Sequence, residues 1–178
     1  MISCNKNEQK TENFKTAYID TAELLKEYEK FKVEDEKFKV KSEEMSRPLE
    51  SKFRAFENEA KSFQTNARVK GQAWAQQKGA ELQQREQELG IEQNALIQQL
   101  QVEGAQLRDS IIKEVKQYIK DYGKKEGYDY IYGTGDAATI LYSKDSYNIT
   151  KEVLEKLNKD YSSKSGTEAK KVEATEEE

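Results

Sequence analysis

The side chain best placed for covalent chemistry is Cys4, the only cysteine in a chain of 178 residues that has no histidine. It follows Ile2 and Ser3. A cysteine after a small residue near the start of a chain is the arrangement at which bacterial lipoproteins receive lipid on sulfur. The expectation is lipidation of Cys4, with residues 1–14 as a polar tether. The plainer alternative is a free thiol in a polar tail. Other chemistry is sharply limited. Without histidine and with one cysteine, the chain lacks a Ser–His–Asp arrangement, a Cys–His pair and the ligand sets of most metal sites. No disulfide can close within it. Gly133-Thr134-Gly135-Asp136 is too short to cradle phosphate and reads as a turn. The carboxylates are spread along helix faces rather than gathered. The chain is therefore expected to be no enzyme and to need no cofactor or metal.

A second cluster of residue types suits binding. Between Glu59 and Glu81 there is no acidic residue, but there are Lys61, Arg68, Lys70 and Lys78. The only tryptophan, Trp74, lies among them, with Phe63 close by. These six residues could form a cationic, amphipathic contact for an unfolded client or an anionic membrane surface. In the plainer account, Trp74 packs on Phe63 and the lysines are simply solvated.

This second group must be positioned by helices. Residues 22–122 hold a single proline, Pro48, and read as almost continuous helix. One seam runs through Leu24, Tyr28, Phe31, Asp35, Phe38, Ser42, Met45, Leu49, Phe53, Phe56, Ala60 and Phe63, in alternating steps of four and three with one longer step after Leu49. Pro48 is predicted to kink the arm at that phase shift. A sparser seam runs through Leu82, Leu89, Leu96, Leu100, Leu107, Ile111, Val115, Tyr118 and Tyr122. The reversal between them is predicted near residues 65–71, which gives an antiparallel αα-hairpin. At 1.5 Å per residue, its longer arm would reach roughly 80 Å. Gly79, Gly90 and Gly104 each weaken the second helix by about 1 kcal/mol, so the distal arm is expected to be loosely held. The glutamines of that helix, Gln72 to Gln106, could line a polar cavity for a client; in the plainer account they are simply good helix formers.

The hairpin is bracketed by β-like segments: Ala17, Tyr18 and Ile19 before it, then Tyr128, Tyr130, Ile131 and Tyr132, then Ile140, Leu141 and Tyr142. Gly123 is a natural stop for the second arm. A last helix is predicted over 151–161, followed by a disordered tail at 162–178. Residues 15–21 and 123–161 thus form a small β-rich head. Three short strands leave open edges, which predicts a homo-oligomer. Charged residues make up 36% and hydrophobic residues 35% of the chain, too little apolar material for a thick core. The net charge of −4 offers no overall pull toward nucleic acid.

The order of these segments resembles the Skp/OmpH family of periplasmic chaperones. The resemblance rests on Ala17-Tyr18-Ile19-Asp20, Glu23-Leu24-Leu25, the helical hairpin, Tyr128-Asp129-Tyr130-Ile131, Leu141-Tyr142 and Asn148-Ile149-Thr150 before Val153-Leu154. It implies an α+β, mostly α fold: a jellyfish-like homotrimer with a β-rich head and helical tentacles. It also implies a periplasmic, ATP-independent holdase that keeps unfolded outer-membrane proteins in the cavity between the arms. The competing reading is a structural or adaptor coiled-coil lipoprotein that scaffolds an envelope complex.

Overall fold

The computed structural model describes residues 14–135 and 140–176. Cys4, the 1–14 tether up to Asn13, and the Ala138–Thr139 part of the expected third strand lie outside the described residues. The chain divides into two units, residues 1–32 with 112–178, and residues 33–111.

The first unit begins with β1, Thr16–Asp20, whose alternate residues Ala17 and Ile19 are buried. Asp20 caps helix α1, Thr21–Glu27: its Oδ1 accepts from the N–H groups of Ala22 and Glu23 at 3.0 and 2.9 Å. The helix then breaks, where the sequence predicted it to run on. Tyr28 takes an extended ψ of 117°, and α2 starts afresh at Glu29 and ends at Lys70. The break turns the Tyr28 ring into the core, where it is 2% exposed. Asn158 compensates the new helix start, because its Oδ1 accepts from the Glu29 N–H at 3.0 Å.

The second long helix, α3, runs from Gln72 to Glu126. It does not stop at Gly123. Gly127 ends it with a φ of 70°, and the Tyr128 N–H closes the terminus on the Gly123 carbonyl at 2.9 Å. Gly123 serves packing instead. A Cβ there would sit 3.1 Å from Cδ1 of Ile131, so the absence of a side chain lets Ile131 of β2 pack close against the helix.

β2, Tyr130–Thr134, pairs in parallel with β1, from Thr16 opposite Tyr130 to Asp20 opposite Thr134. The sheet has two strands among the described residues, not three. Tyr128 precedes β2, and Ile140, Leu141 and Tyr142 lie in no strand. The other side of β1 is taken by a single bridge from Tyr18 to Asn148, where the Ile149 N–H reaches the Tyr18 carbonyl at 3.0 Å. That bridge occupies the β1 edge, so residues 140–142 do not pair with β1 there. β2 keeps its second edge unpaired among the described residues.

The last helix, α4, spans Thr150–Glu176 and continues past Tyr161 into the expected tail. Its buried stripe is short, Val153 and Leu157; beyond it, residues such as Glu168, Ala169, Lys170 and Lys171 are strong helix formers. The seam is missing there, but helix propensity carries the helix on. Thr150 ties α4 to β1. It is 1% exposed, and its Oγ1 accepts from the Asp20 N–H at 2.8 Å. Thr150→Val keeps the shape and orphans that N–H, so it should cost about 1–3 kcal/mol in urea unfolding.

Tyr28 and Tyr122 give the first unit a pH limit. Burial, then the Glu114 carboxylate, pushes the Tyr28 phenol well above its usual range. Burial, then the hydrogen bond from its hydroxyl to Glu152 at 2.9 Å, does the same for Tyr122. Both folded-state values are raised. Their contribution is therefore complete below pH about 10, where unfolded tyrosine titrates, and is lost as pH rises beyond it. In an alkaline titration, these two phenols should ionise only as helical circular dichroism is lost.

In the second unit, every predicted seam position of α2 from Asp35 to Phe63 is buried or half-buried, and so is every one of α3 from Leu82 to Ile111. Helix α2 continues unbroken through Pro48. The seam is thin: Leu49, Leu89 and Ile111 are its buried apolar side chains. Ion pairs flank it, Lys41 with Glu103 at 2.8 Å and Lys52 with Glu92 at 2.6 Å. These are exposed pairs and contribute little each.

Candidate functional site

The hairpin reverses at one residue, at the far end of the predicted window. Gly71 adopts a φ of 86° between α2 and α3. A Cβ there would meet nothing within 4 Å, so glycine is needed for its backbone conformation and not for space. The reversal brings Phe63 onto Trp74, with ring centroids 6.0 Å apart and planes at 26°. Lys70 lies over the Trp74 ring, 4.8 Å from its centroid. A cleft of about 350 Å³ opens here, lined by Phe63, Asn66, Lys70, Trp74, Lys78 and Glu81.

Folding narrows the cationic character of this tip. Lys78 forms ion pairs with Glu59 and with Glu81, the latter at 2.9 Å. Its hydrogen bond to Glu59 raises the Lys78 pKa and lowers that of Glu59. Lys61 lies 3.9 Å from Glu57. Counting only residues 60–80 missed these acids at the border. The spacing of Lys61 to Glu57 (four residues) and of Lys78 to Glu81 (three) was the available signal. Arg68 is exposed and has no ion pair among the described residues. Arg68 and Lys70 therefore carry the outward positive charge, beside the Phe63–Trp74 pair.

A different kind of surface lies on the first unit. Tyr130 and Tyr132 stack at 5.8 Å along β2, and Phe14 packs on Tyr130 at 5.6 Å. These rings remain 66% exposed for Phe14, 55% for Tyr130 and 42% for Tyr132. Leu141 and Tyr142 are almost fully exposed. Ile131 points the other way, to Gly123. Alternation along β2 thus places its tyrosines outward beside the unpaired strand edge. Among the described residues, no three His, Cys, Asp or Glu side chains are grouped to hold a metal ion, and no helix is long and apolar enough to cross a membrane.

Residues 15–157 match the family model described as outer membrane protein (OmpH-like). The match runs from β1 through both long helices and β2 to the buried stripe of α4. The chain belongs to the OmpH-like family. A crystal structure of an OmpH-like protein from Caulobacter crescentus CB15, described as a candidate outer membrane chaperone, has the same fold: TM-score 0.72, 14% identity, covering 83% of this chain and 85% of that one. No curated protein matches this OmpH-like chain.

Proposed function

We propose that this OmpH-like chain is a periplasmic, ATP-independent holdase that keeps unfolded outer-membrane proteins between the helical arms of a homotrimer. The observation that carries the reading is the family match across residues 15–157, which takes in the strands and the full hairpin. The exposed rings of β2 beside an unpaired strand edge support association of copies through the first unit. A hairpin with a thin seam supports the rest, because a holdase works by many weak contacts and a wall that can yield. Suppression of aggregation of a urea-diluted β-barrel protein at a stoichiometric ratio tests the activity. Solution scattering with mass determination tests the trimer. A chain that is monomeric and leaves aggregation unchanged would sink the proposal.

Two further assignments belong to this reading. Cys4 carries lipid and tethers the chain to a membrane; an unmodified Cys4 in the mass spectrum of the natively expressed protein would exclude it. Arg68 and Lys70, with Phe63 and Trp74, contact anionic client or membrane. Arg68→Glu with Lys70→Glu should abolish binding to vesicles rich in anionic lipid, and unchanged binding would remove that role.

A further inference from the structure

The side of α3 turned away from its seam carries no charge through most of the second unit. Gln84, Ile91, Gln98 and Val102 each follow a seam leucine by two residues, which puts them about 200° around the helix from it. With Gln87 and Ala95 they form a stripe in steps of three and four that extends back to Ala73 and on to Ala105. Every position on it is exposed, with Ile91 at 70% and Val102 at 56%. The outward line of α2 is different: it passes Glu36, Val40, Glu43, Arg47, Glu50 and Arg54, also exposed. In a chain that is 36% charged, the outer line of α2 is charged as expected, whereas the line along α3 is itself uncharged and has Glu88 at its border.

Solubility would favour charge on both faces, so the contrast asks for an occupant. A second folded copy is a poor fit. The stripe has only two large apolar side chains, about three turns apart, and a stable interface needs roughly 800 Å² per partner. A charged partner would find no counter-charge along the line from Gln87 to Val102 and would lose hydration without compensation. Glutamine, by contrast, carries an amide donor and acceptor, the same groups that line an extended peptide backbone. Between the glutamines, Ile91 and Val102 offer apolar contact.

We infer that this face of α3 is a docking strip for uncharged segments of an unfolded polypeptide, held by amide hydrogen bonds from Gln87 and Gln98 and by contact with Ile91 and Val102, whereas Gln84 already donates its amide to Glu88 at 2.8 Å. The inference rests on the chaperone reading and adds to it which face binds and which client segments it selects. Contacts of this kind are individually weak and can shift along the strip, so a client is retained without being fixed.

The test is a charge swap that leaves net charge and helix propensity nearly unchanged. Gln87→Glu with Gln98→Lys alters the strip; Glu50→Lys with Arg54→Glu alters the outer line of α2. The probe is a small outer-membrane β-barrel protein, labelled and diluted from urea. The strip swap should weaken binding by about tenfold, and the α2 swap should not change it. A photo-reactive residue in place of Gln87, in an otherwise unaltered chain, should capture the probe, whereas one in place of Glu50 should not. This second readout does not depend on how the swaps fold. Equal binding by the strip swap and the unaltered chain, or equal capture at both sites, overturns the inference and leaves the chaperone reading standing. Failure of the unaltered chain to bind the probe overturns both.

Discussion

Replacing Tyr28 with alanine should destabilise the first unit by about 3–5 kcal/mol, the range for removing a buried aromatic ring. The ring is 2% exposed beside Leu24 at 1% and meets Tyr161 edge-on at 6.4 Å. It also fills the place where α1 ends and α2 begins, so its loss removes the reason for the break as well as the packing. Without the ring the two helices can merge, and Glu29 then loses its hydrogen bond to Asn158. Tyr28→Phe is the control. Its hydroxyl reaches Glu114 at 3.5 Å, the limit of a hydrogen bond, so the phenylalanine variant should lose about 1 kcal/mol or less. Urea unfolding followed by circular dichroism measures both. An alanine variant as stable as the phenylalanine variant would show that the ring does not hold this core together.

Leu89→Ala tests the second unit, where the expected loss is about 2–3 kcal/mol. Leu89 is 4% exposed in a seam whose other buried apolar members are Leu49 and Ile111. Few side chains share the load, so deleting one removes a large part of what pairs the helices. The loss should lie at the low end of the leucine range. An open cleft lined by Lys52, Ala55, Arg85, Glu88 and Glu92 adjoins the site, and these groups can move into the vacated volume. Amide exchange is the decisive readout. Protection should fall across residues 80–100 and stay unchanged in β1 and β2. A uniform fall through both units would mean that the chain unfolds as one cooperative body, and the account of a separately held hairpin would fail.

The two variants also mark where sequence was a sufficient guide. The seams of α2 and α3 were readable residue by residue, because helical period is local and a paired helix must bury one stripe wherever its partner lies. The Phe63–Trp74 contact followed from the same logic, once the chain had to reverse between them. The strip on α3 was in the sequence too, but a glutamine-rich helix looks ordinary until the exposed and seam faces are told apart.

Choices among equivalent local signals needed the tertiary structure. Gly123 and Gly127 both offer a helix stop, and the approach of Ile131 assigned Gly123 to packing and left the stop to Gly127. Asp20 and Thr21 could both cap α1; the hydroxyl of Thr21 instead donates to the Thr134 carbonyl at 2.8 Å, which leaves the cap to Asp20. The break at Tyr28 interrupts an unbroken seam, because burying one ring under α4 outweighs one more turn of helix. Residues 140–142 look as strand-like as β2 but join no strand, and the single bridge on the outer side of β1 goes to Asn148 instead. Sequence by itself determined the hairpin, its seams and the family, since periodicity and segment order need no partner to be read. Tertiary structure decided the caps, the strand count and the charge left free at the tip, since each depends on which distant group packs or bonds there.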